Sequence, residues 1–195
     1  MEELRVKKLE IRNNISKNFN KLSSDNISKK TKSIEQRLFE FANFVEAKIS
    51  LLYIGSAYEV ASKNIINQSL YFNKIVVLPS YNKEKHEITL IKIDNTTTDL
   101  KLGKNDILEP DAQRCKMVPI DFVEIALIPG LAFDEKGGRV GSGDGLYDRL
   151  IPKLPSTARK VGLAYESQIL QQVPMESHDK HVDIIITEDR VIYRI

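Results

Sequence analysis

Polar and apolar positions along the first 46 residues follow a helical pattern. Residues 3–22 are largely polar and predict a surface helix. A second helix is predicted over about 27–46, after Ser23, Ser24 and Asp25, which are all of N-cap type. Positions three and four apart in the second helix share one apolar face, formed by Ile34, Leu38, Phe41, Ala42 and Val45. We therefore expect this helix to pack against a sheet.

Short apolar runs farther along the chain predict the strands of that sheet. They occupy 48–54, 74–80, 123–130, 160–164, 182–187 and 191–194. Residues 87–93 alternate with period two, as in a strand with one wetter face, and helices are predicted over 59–71 and about 144–151. The polar stretch 94–111 predicts a long connecting loop. This order predicts an α/β fold in one domain, 1–195: a three-layer sandwich whose mostly parallel central sheet is flanked by helices.

Composition limits the location and the partners of the protein. The chain has 195 residues, one cysteine (Cys115) and a formal net charge of +2. A lone cysteine forms no internal disulfide, and the sequence has neither an apolar signal segment nor a run of about 20 apolar residues, so we expect a cytoplasmic protein without a membrane span. Basic residues crowd the first two helices. Such a run is usually a solvated helical face, and the alternative is an anion site for phosphates or an acidic tail.

The stretch 137–149 carries the strongest chemical signal. Several glycines lie directly before a predicted helix: Gly137, Gly138, Gly141, Gly143 and Gly145. Such a loop brings exposed N–H groups close to an anion. Arg139 can add charge-assisted bonds to phosphate, and Asp148 can face a magnesium ion that bridges phosphates. The spacing matches neither a dinucleotide-binding fingerprint nor a P-loop, so spacing alone leaves a flexible surface loop equally open.

A wider set of motifs resolves this ambiguity. The string IPGLAFDEKGGRVGSGDGLYDR over 128–149 resembles the signature of the 5-formyltetrahydrofolate cyclo-ligase family, P-G-x-x-F-D followed by G-x-R-[LV]-G-x-G-x-G-x-Y-D-R. Further matches follow in the family's order: Lys8, Ile11-Arg12, Leu22-Ser23, Glu59, Leu78-Pro79, Tyr81, the ILEP segment 107–110 and VPMESHDKHVDIIITE over 173–188. The resemblance therefore extends over nearly the whole chain.

The resemblance implies an enzyme that uses ATP and Mg²⁺ to convert 5-formyltetrahydrofolate into 5,10-methenyltetrahydrofolate, with ADP and phosphate released. In this reaction the formyl oxygen attacks the γ-phosphate, and the neighbouring amine then closes the ring as phosphate departs. The protein mainly aligns the reactants and neutralises charge on the transferring group. The resemblance further implies a fold like that of sugar-phosphate isomerases and CoA transferases, a monomer, and a folate as the partner.

Roles in nucleotide binding follow from the matched positions. Lys8 and Arg12, which share one helical face by their i, i+4 spacing, would contact the ATP phosphates. Arg139 would wrap the triphosphate together with the loop that follows it, namely Gly141, Ser142, Gly143, Asp144, Gly145, Leu146 and Tyr147. Asp148 and Asp183 would hold the magnesium ion.

Catalytic and folate-binding roles follow in the same way. Arg139 and Tyr147 are the predicted catalytic residues. Glu59 would accept hydrogen bonds from the pterin, and Leu146 and Tyr81 would lie beside the folate. For Tyr81 and Tyr147, ordinary core packing is an equal alternative.

The histidines near the C-terminus superficially suggest a transition-metal site. His178 and His181 lie close to Asp179 and Asp183, but the sequence offers no further histidine or cysteine set to complete a zinc sphere. We therefore expect His178 and Asp179 to order the loop that presents Asp183.

Three loop positions depart from the family pattern, which usually reads G-R-G-[KG]-G-Y-Y-D. Ser142 replaces a cation, Asp144 adds a negative charge beside the expected triphosphate, and Leu146 replaces a tyrosine. Two like charges ~4 Å apart cost on the order of 1 kcal/mol in water and more in a cleft. The alternative function is therefore a diverged family member that binds ATP but acts on another substrate or lacks cyclo-ligase activity.

A different class of function is a nucleic-acid-binding module built on the basic helices of residues 1–46. Two observations oppose it: the first 18 residues contain no aromatic side chain among their lysines, and the rest of the chain brings the net charge near neutral. We therefore expect no nucleic-acid partner.

Overall fold

The computed structural model describes residues 2–82, 84–85, 87–103 and 108–194. The helices are α1 (Glu2–Phe19), α2 (Ser24–Glu40), α3 (Ala42–Glu46), α4 (Lys63–Tyr71) and α5 (Leu146–Leu150). The strands are β1 (Ile49–Leu51), β2 (Ile75–Asn82), β3 (Glu87–Ile93), β4 (Leu100–Leu102), β5 (Leu108–Pro110), β6 (Met117–Val118), β7 (Ile125–Ile128), β8 (Ala132–Asp134), β9 (Arg139–Val140), β10 (Arg159–Leu163), β11 (Ile169–Leu170), β12 (Ile184–Ile186) and β13 (Val191–Tyr193).

One large sheet forms the centre of the fold. Its strand order is β13-β12-β10-β7-β1-β2-β3-β6. The five strands from β12 to β2 run parallel, while β13, β3 and β6 add antiparallel pairs at the edges. The predicted α/β class with a mostly parallel sheet is therefore confirmed. None of the helices in the described residues has the length and apolar character that a membrane span requires.

Two apolar clusters cover the opposite faces of this sheet. In β7, Ile125 and Leu127 belong to the cluster that includes α2, α3 and α4, whereas Ala126 and Ile128 belong to the cluster beneath α5. This alternation is the period of two that a strand buried on both sides requires.

The predicted second helix is broken at one residue. Phe41 takes an extended conformation (φ −75°, ψ 113°) between α2 and α3. The break changes the helical phase, so that Phe44 is fully buried while Val45 is 53% exposed. The prediction that Val45 faces the sheet was therefore wrong, because it assumed one uninterrupted period of 3.6 residues.

Two small sheets lie outside the main one. β4 and β5 form an antiparallel ribbon within the stretch that was predicted to be a loop. β8 pairs with β9 and β11, and Ile15 of α1 packs on this small sheet together with Ala132 and Val140. Packing through Ile15 sets the position of α1 beside the segment that follows β9. Ile107 of the matched ILEP segment lies outside the described residues.

Candidate active site

A cleft of about 820 Å³ opens beyond the carboxyl ends of the central strands. Ile54 follows β1, Pro79 lies in the last part of β2, and Pro129 follows β7, and all three line the cleft. The glycine loop, helix α1 and the β4–β5 ribbon supply its other walls. Ligands of open α/β sheets commonly bind at this edge.

Helix α1 directs one face into the cleft. Arg5, Lys8, Leu9 and Arg12 line it, and their spacings of three and four residues place them on one side of the helix. The Nε of Arg12 donates to the carbonyl oxygen of Gly141 at 2.8 Å. The structure therefore brings both predicted phosphate contacts, Lys8 and Arg12, to the cleft, and Arg12 bonds the glycine loop directly.

Lys8 is buried in an ion cluster with two carboxylates. Its Nζ lies 2.9 Å from Oε2 of Glu176 and 2.5 Å from Oδ2 of Asp179, and the three side chains are each at most 9% exposed. Burial alone would lower the pKa of Lys8, but the hydrogen bonds to Asp179 and Glu176 outweigh it and raise that pKa. Lys8 is therefore fully charged at neutral pH.

The same cluster lowers the pKa of both carboxyl groups. For Glu176 the main cause is the hydrogen bond from Lys8. For Asp179 burial acts in the opposite direction, and it is outweighed by the backbone N–H of Glu176, 2.7 Å from Oδ2, together with Lys8. Both groups are consequently anionic at neutral pH.

The glycine loop is shaped by backbone conformations that side chains disfavour. Gly143 and Gly145 have φ values of +118° and +63°, and Gly145 directly precedes α5. A Cβ on Gly141 would lie 2.5 Å from Nη1 of Arg139, so that glycine also makes room for the arginine. The glycines therefore turn the chain sharply and let it pass close to a buried cation.

Arg139 fixes the first predicted metal ligand. Its Nη1 donates to the carbonyl oxygen of Pro129 at 3.1 Å, and its Nη2 donates to Oδ1 of Asp148 at 2.9 Å. The backbone N–H of Lys180 also donates to Oδ1 of Asp148, at 3.2 Å. Arg139 is 5% exposed, and its Nε has no protein partner in the described residues. Arg139 therefore holds Asp148 at the cleft wall beside the segment that contains Asp179.

Glu59 lies in the connection between β1 and α4. The sequence predicted a helix from residue 59, but α4 begins four residues later, at Lys63. Oε2 of Glu59 accepts the backbone N–H of Ser56 at 2.8 Å, and the Glu59 side chain lines the cleft. Tyr147 lines the cleft as well. Burial raises the pKa of Tyr147 far above its ordinary value, and the charge of Glu59 adds to that rise. Tyr147 therefore keeps its hydroxyl proton at neutral pH.

The remaining predicted residues divide into two groups. Ser142, Asp144 and Leu146 line the cleft, so the departures from the family pattern all fall within the site. Tyr81 is not among the residues that line the cleft. The Arg149 guanidinium, which does line it, lies 4.9 Å from the centre of the Tyr81 ring. Nη2 of Arg149 also donates to the carbonyl oxygen of Asp144 at 2.9 Å. Arg149 thus connects the glycine loop to the end of β2.

The structure does not bring Asp183 to the cleft. Asp183 precedes β12, where its Oδ2 accepts the backbone N–H of Lys160 at 2.9 Å and lies 3.7 Å from Nζ of Lys160. This position is toward the amino ends of the parallel strands, whereas the cleft opens at their carboxyl ends. The structure therefore places Asp148, but not Asp183, among the residues that line the cleft.

Glu176 and Asp179 line the cleft together with Asp148. Ligand atoms of Glu176, His178 and Asp179 lie within 4.8 Å of one another. The sequence interpretation gave His178 and Asp179 only a loop-ordering role and did not assign Glu176. The signal that could have found them is the acidic spacing of the segment ESHD, directly before the loop returns to the sheet.

Comparison with known proteins identifies the family. The model of the 5-formyltetrahydrofolate cyclo-ligase family matches residues 5–188. The chain belongs to this family. A probable 5-formyltetrahydrofolate cyclo-ligase of Schizosaccharomyces pombe is 29% identical over 203 residues, which cover 97% of this chain and 99% of that protein. The 5-formyltetrahydrofolate cyclo-ligase of Haemophilus influenzae is 30% identical over 149 residues, which cover 75% of this chain and 79% of that protein.

A solved structure agrees with the sequence relatives. The NMR structure of Aquifex aeolicus 5,10-methenyltetrahydrofolate synthetase matches this cyclo-ligase family member with a TM-score of 0.84 and 28% identity, covering 96% of this chain and 92% of that one. The family predicted from the motifs is therefore confirmed, and the names of the relatives correspond to the predicted reaction.

Proposed function

We propose that this cyclo-ligase family member converts 5-formyltetrahydrofolate into 5,10-methenyltetrahydrofolate with consumption of ATP and release of ADP and phosphate. The observation that carries the proposal is the composition of the single cleft described above. Cations of α1 and a glycine loop line one part of it, and the buried carboxylate of Glu59 lines another. The first part suits a triphosphate, and the second suits the N–H donors of a pterin.

The nucleotide part contains cations, backbone donors and space. Lys8 and Arg12 supply positive charge from α1, and Gly143 and Gly145 expose the loop backbone. Backbone N–H groups in such a loop bind phosphate oxygens without a side chain. Asp144 places a negative charge in the same wall, so we expect its carboxylate to turn away from the triphosphate toward solvent, to which it is exposed.

The residues present fit a magnesium ion. Asp148, Asp179 and Glu176 offer hard carboxylate oxygens beside the glycine loop, which is the donor chemistry that Mg²⁺ prefers. We propose that Asp148 and Asp179, rather than Asp148 and Asp183, hold the ion, with Glu176 beside them. When bound, the ion would neutralise charge on the phosphate oxygens.

The protein's part in the chemistry is alignment and charge stabilisation. The formyl oxygen attacks the γ-phosphorus as the bond to ADP breaks. N10 then attacks the formyl carbon and loses its proton as the carbon–oxygen bond to phosphate breaks. Glu59 would hold the pterin and Leu146 would contact it, while the protonated hydroxyl of Tyr147 would donate to an oxygen at the reacting end. Arg139 would keep Asp148 oriented.

The finer features of the fold and its setting also remain part of the proposal. The apolar clusters on both faces of the sheet support three layers of the sugar-phosphate isomerase or CoA transferase type. We further propose one domain over 1–195, a monomer in the cytoplasm, and no nucleic-acid or membrane partner. The absence of a nucleic-acid partner is supported by a contact of α2: Arg37 donates to the carbonyl oxygens of Thr187 and Glu188 within the protein.

The deciding experiment follows the absorbance of the methenyl product when the protein is mixed with 5-formyltetrahydrofolate and Mg²⁺, with and without ATP. We expect product only with ATP, and a severe loss in Asp148→Ala. Absence of product while ATP still binds would instead support the diverged family member, for which the acidic Asp144 in the cleft wall is the favouring observation.

A further inference from the structure

The ammonium group of Lys8 lies between two carboxylates, at a place that a metal ion could otherwise occupy. Nζ of Lys8 bonds Oε2 of Glu176 and Oδ2 of Asp179, and all three side chains are nearly buried. At these two oxygens the ammonium group competes with any second cation. A metal ion bound to Asp179 beside the ammonium group would be repelled by it, so metal binding is favoured when Lys8 moves away.

The charges of the surrounding groups favour replacement of the Lys8 ammonium group by a metal ion only when an anion binds nearby. Lys8 and Arg139 balance two of the three carboxylates of Glu176, Asp179 and Asp148. One net negative charge attracts a divalent ion weakly, because the bound ion would also repel the buried ammonium. A triphosphate in the adjacent glycine loop offers Lys8 new anionic partners and adds oxygen ligands for the metal.

We infer that Lys8 is an exchangeable counter-ion that makes metal binding conditional on nucleotide binding. Without nucleotide it neutralises Glu176 and Asp179, and with nucleotide it moves to the phosphates and releases the carboxylates to the metal. Lys8 thereby acts as a positioning residue, and the protein takes up metal and nucleotide together. This inference rests on the proposed function for the identity of the nucleotide.

The flexible stem of lysine suits this role. Four methylene groups connect Nζ to the helix backbone, so the ammonium group can move several ångström without any shift of α1. Arg12, one turn farther along the same face, is held by the carbonyl oxygen of Gly141 and is not bonded to these carboxylates. The exchange is therefore assigned to Lys8 alone among the described cations of this face.

The test measures Mn²⁺ binding by the electron paramagnetic resonance signal of the free ion, without any nucleotide. We expect Lys8→Met to bind Mn²⁺ alone about tenfold or more tightly than the wild type, because a competing charge is removed. Lys7→Met is the matched control, since Lys7 pairs with the exposed Glu3 on the surface of the same helix, and it should bind Mn²⁺ as the wild type does. Adding Asp179→Asn to Lys8→Met should abolish the gain.

A second measurement uses the wild type only, so it does not depend on the folding of a variant. A non-hydrolysable ATP analogue should raise the Mn²⁺ affinity of the wild type by at least tenfold. Equal Mn²⁺ affinity with and without the bound analogue, or an unchanged affinity in folded Lys8→Met, would overturn the inference. A protein that binds Mn²⁺ more tightly as Lys8→Met but never binds the analogue would instead contradict the proposed function.

Discussion

Two lysine–aspartate pairs lie near the two ends of the parallel strands and differ in what they do. At the cleft, Lys8 contacts Asp179 at 2.5 Å between side chains that are 9% and 7% exposed. Near the amino ends, Asp183 accepts the backbone N–H of Lys160 at 2.9 Å, with the ammonium group 3.7 Å away. The first pair concentrates charge in a cavity, and the second ties two strands together. Residue type alone therefore does not distinguish these two aspartates; their positions along the strand direction do.

Neutralising the two aspartates in turn tests most sharply whether they have different roles. Asp179→Asn should lower kcat/KM for ATP by about 100-fold, because it removes a proposed ligand of the metal that neutralises phosphate charge. Asp183→Asn should change kcat/KM by less than about threefold and lower the free energy of unfolding by about 1 kcal/mol through its weakened hydrogen bond. Steady-state kinetics and urea unfolding of both variants give these values. Equal kinetic losses would show that the comparison is wrong.

A change at Glu59 tests whether the proposed folate part of the cleft is distinct from the proposed nucleotide part. Glu59→Gln should raise the KM for 5-formyltetrahydrofolate by about 10- to 100-fold, because a charged acceptor for the pterin becomes a neutral amide. The affinity for the ATP analogue should stay the same, since Glu59 is not one of the proposed phosphate contacts. Calorimetric titration with each ligand measures both effects. A parallel loss of both affinities would argue for a structural role through the Ser56 N–H.

Arg149 connects these two parts and should have a smaller effect. Arg149→Met removes the hydrogen bond to the carbonyl oxygen of Asp144 and the contact with the Tyr81 ring. Each interaction contributes about 1 kcal/mol, so we expect the KM for ATP to rise about 3- to 10-fold with little change in kcat. Arg159→Met, at the exposed start of β10, is the control. A fall in kcat at constant KM would place Arg149 in the chemical step instead.

The ion cluster of Lys8 should also appear in the pH dependence of stability. The pKa values of Glu176 and Asp179 lie below their ordinary values of 4.5 and 3.8. A depressed pKa in the folded state contributes stability above the ordinary pKa, and that stability is lost as pH falls through the folded value. The stability difference between the wild type and Lys8→Met should therefore be largest at neutral pH and shrink below pH 4.5.

Urea unfolding at neutral and acidic pH measures this difference. Lys7→Met should show almost none at either pH, because the Lys7–Glu3 pair is exposed on the helix surface. A difference for Lys8→Met that stays constant with pH would mean that lost packing, rather than the two carboxylates, accounts for its effect.

Whether a feature could be predicted from the sequence depends on how far apart along the chain the residues that form it lie. The glycine loop and the Lys8–Arg12 face were predictable because their geometry is local: positive φ at Gly143 and Gly145, and an i, i+4 spacing on one helix. The β4–β5 ribbon was missed because its short strands lie in a polar stretch with little apolar pattern.

Nonlocal geometry explains the remaining differences between the sequence interpretation and the structure. Asp179 and Asp183 lie in the same matched motif, four residues apart, and only the direction of β12 in the sheet separates the cleft from the other end. Val45 was misplaced because the extended conformation at Phe41 has no marker in the sequence pattern. The role of Arg139 as the partner of Asp148 required the hairpin of β8 and β9, which the apolar pattern does not reveal.

The most direct test of the proposed metal position is the anomalous scattering of Mn²⁺ in crystals grown with the non-hydrolysable ATP analogue. The account predicts a peak within coordination distance of the carboxylates of Asp148 and Asp179, with Nζ of Lys8 moved to the phosphates. A peak beside Asp183 and Lys160, or a peak at the cleft with Lys8 still bonded to Asp179, would contradict it.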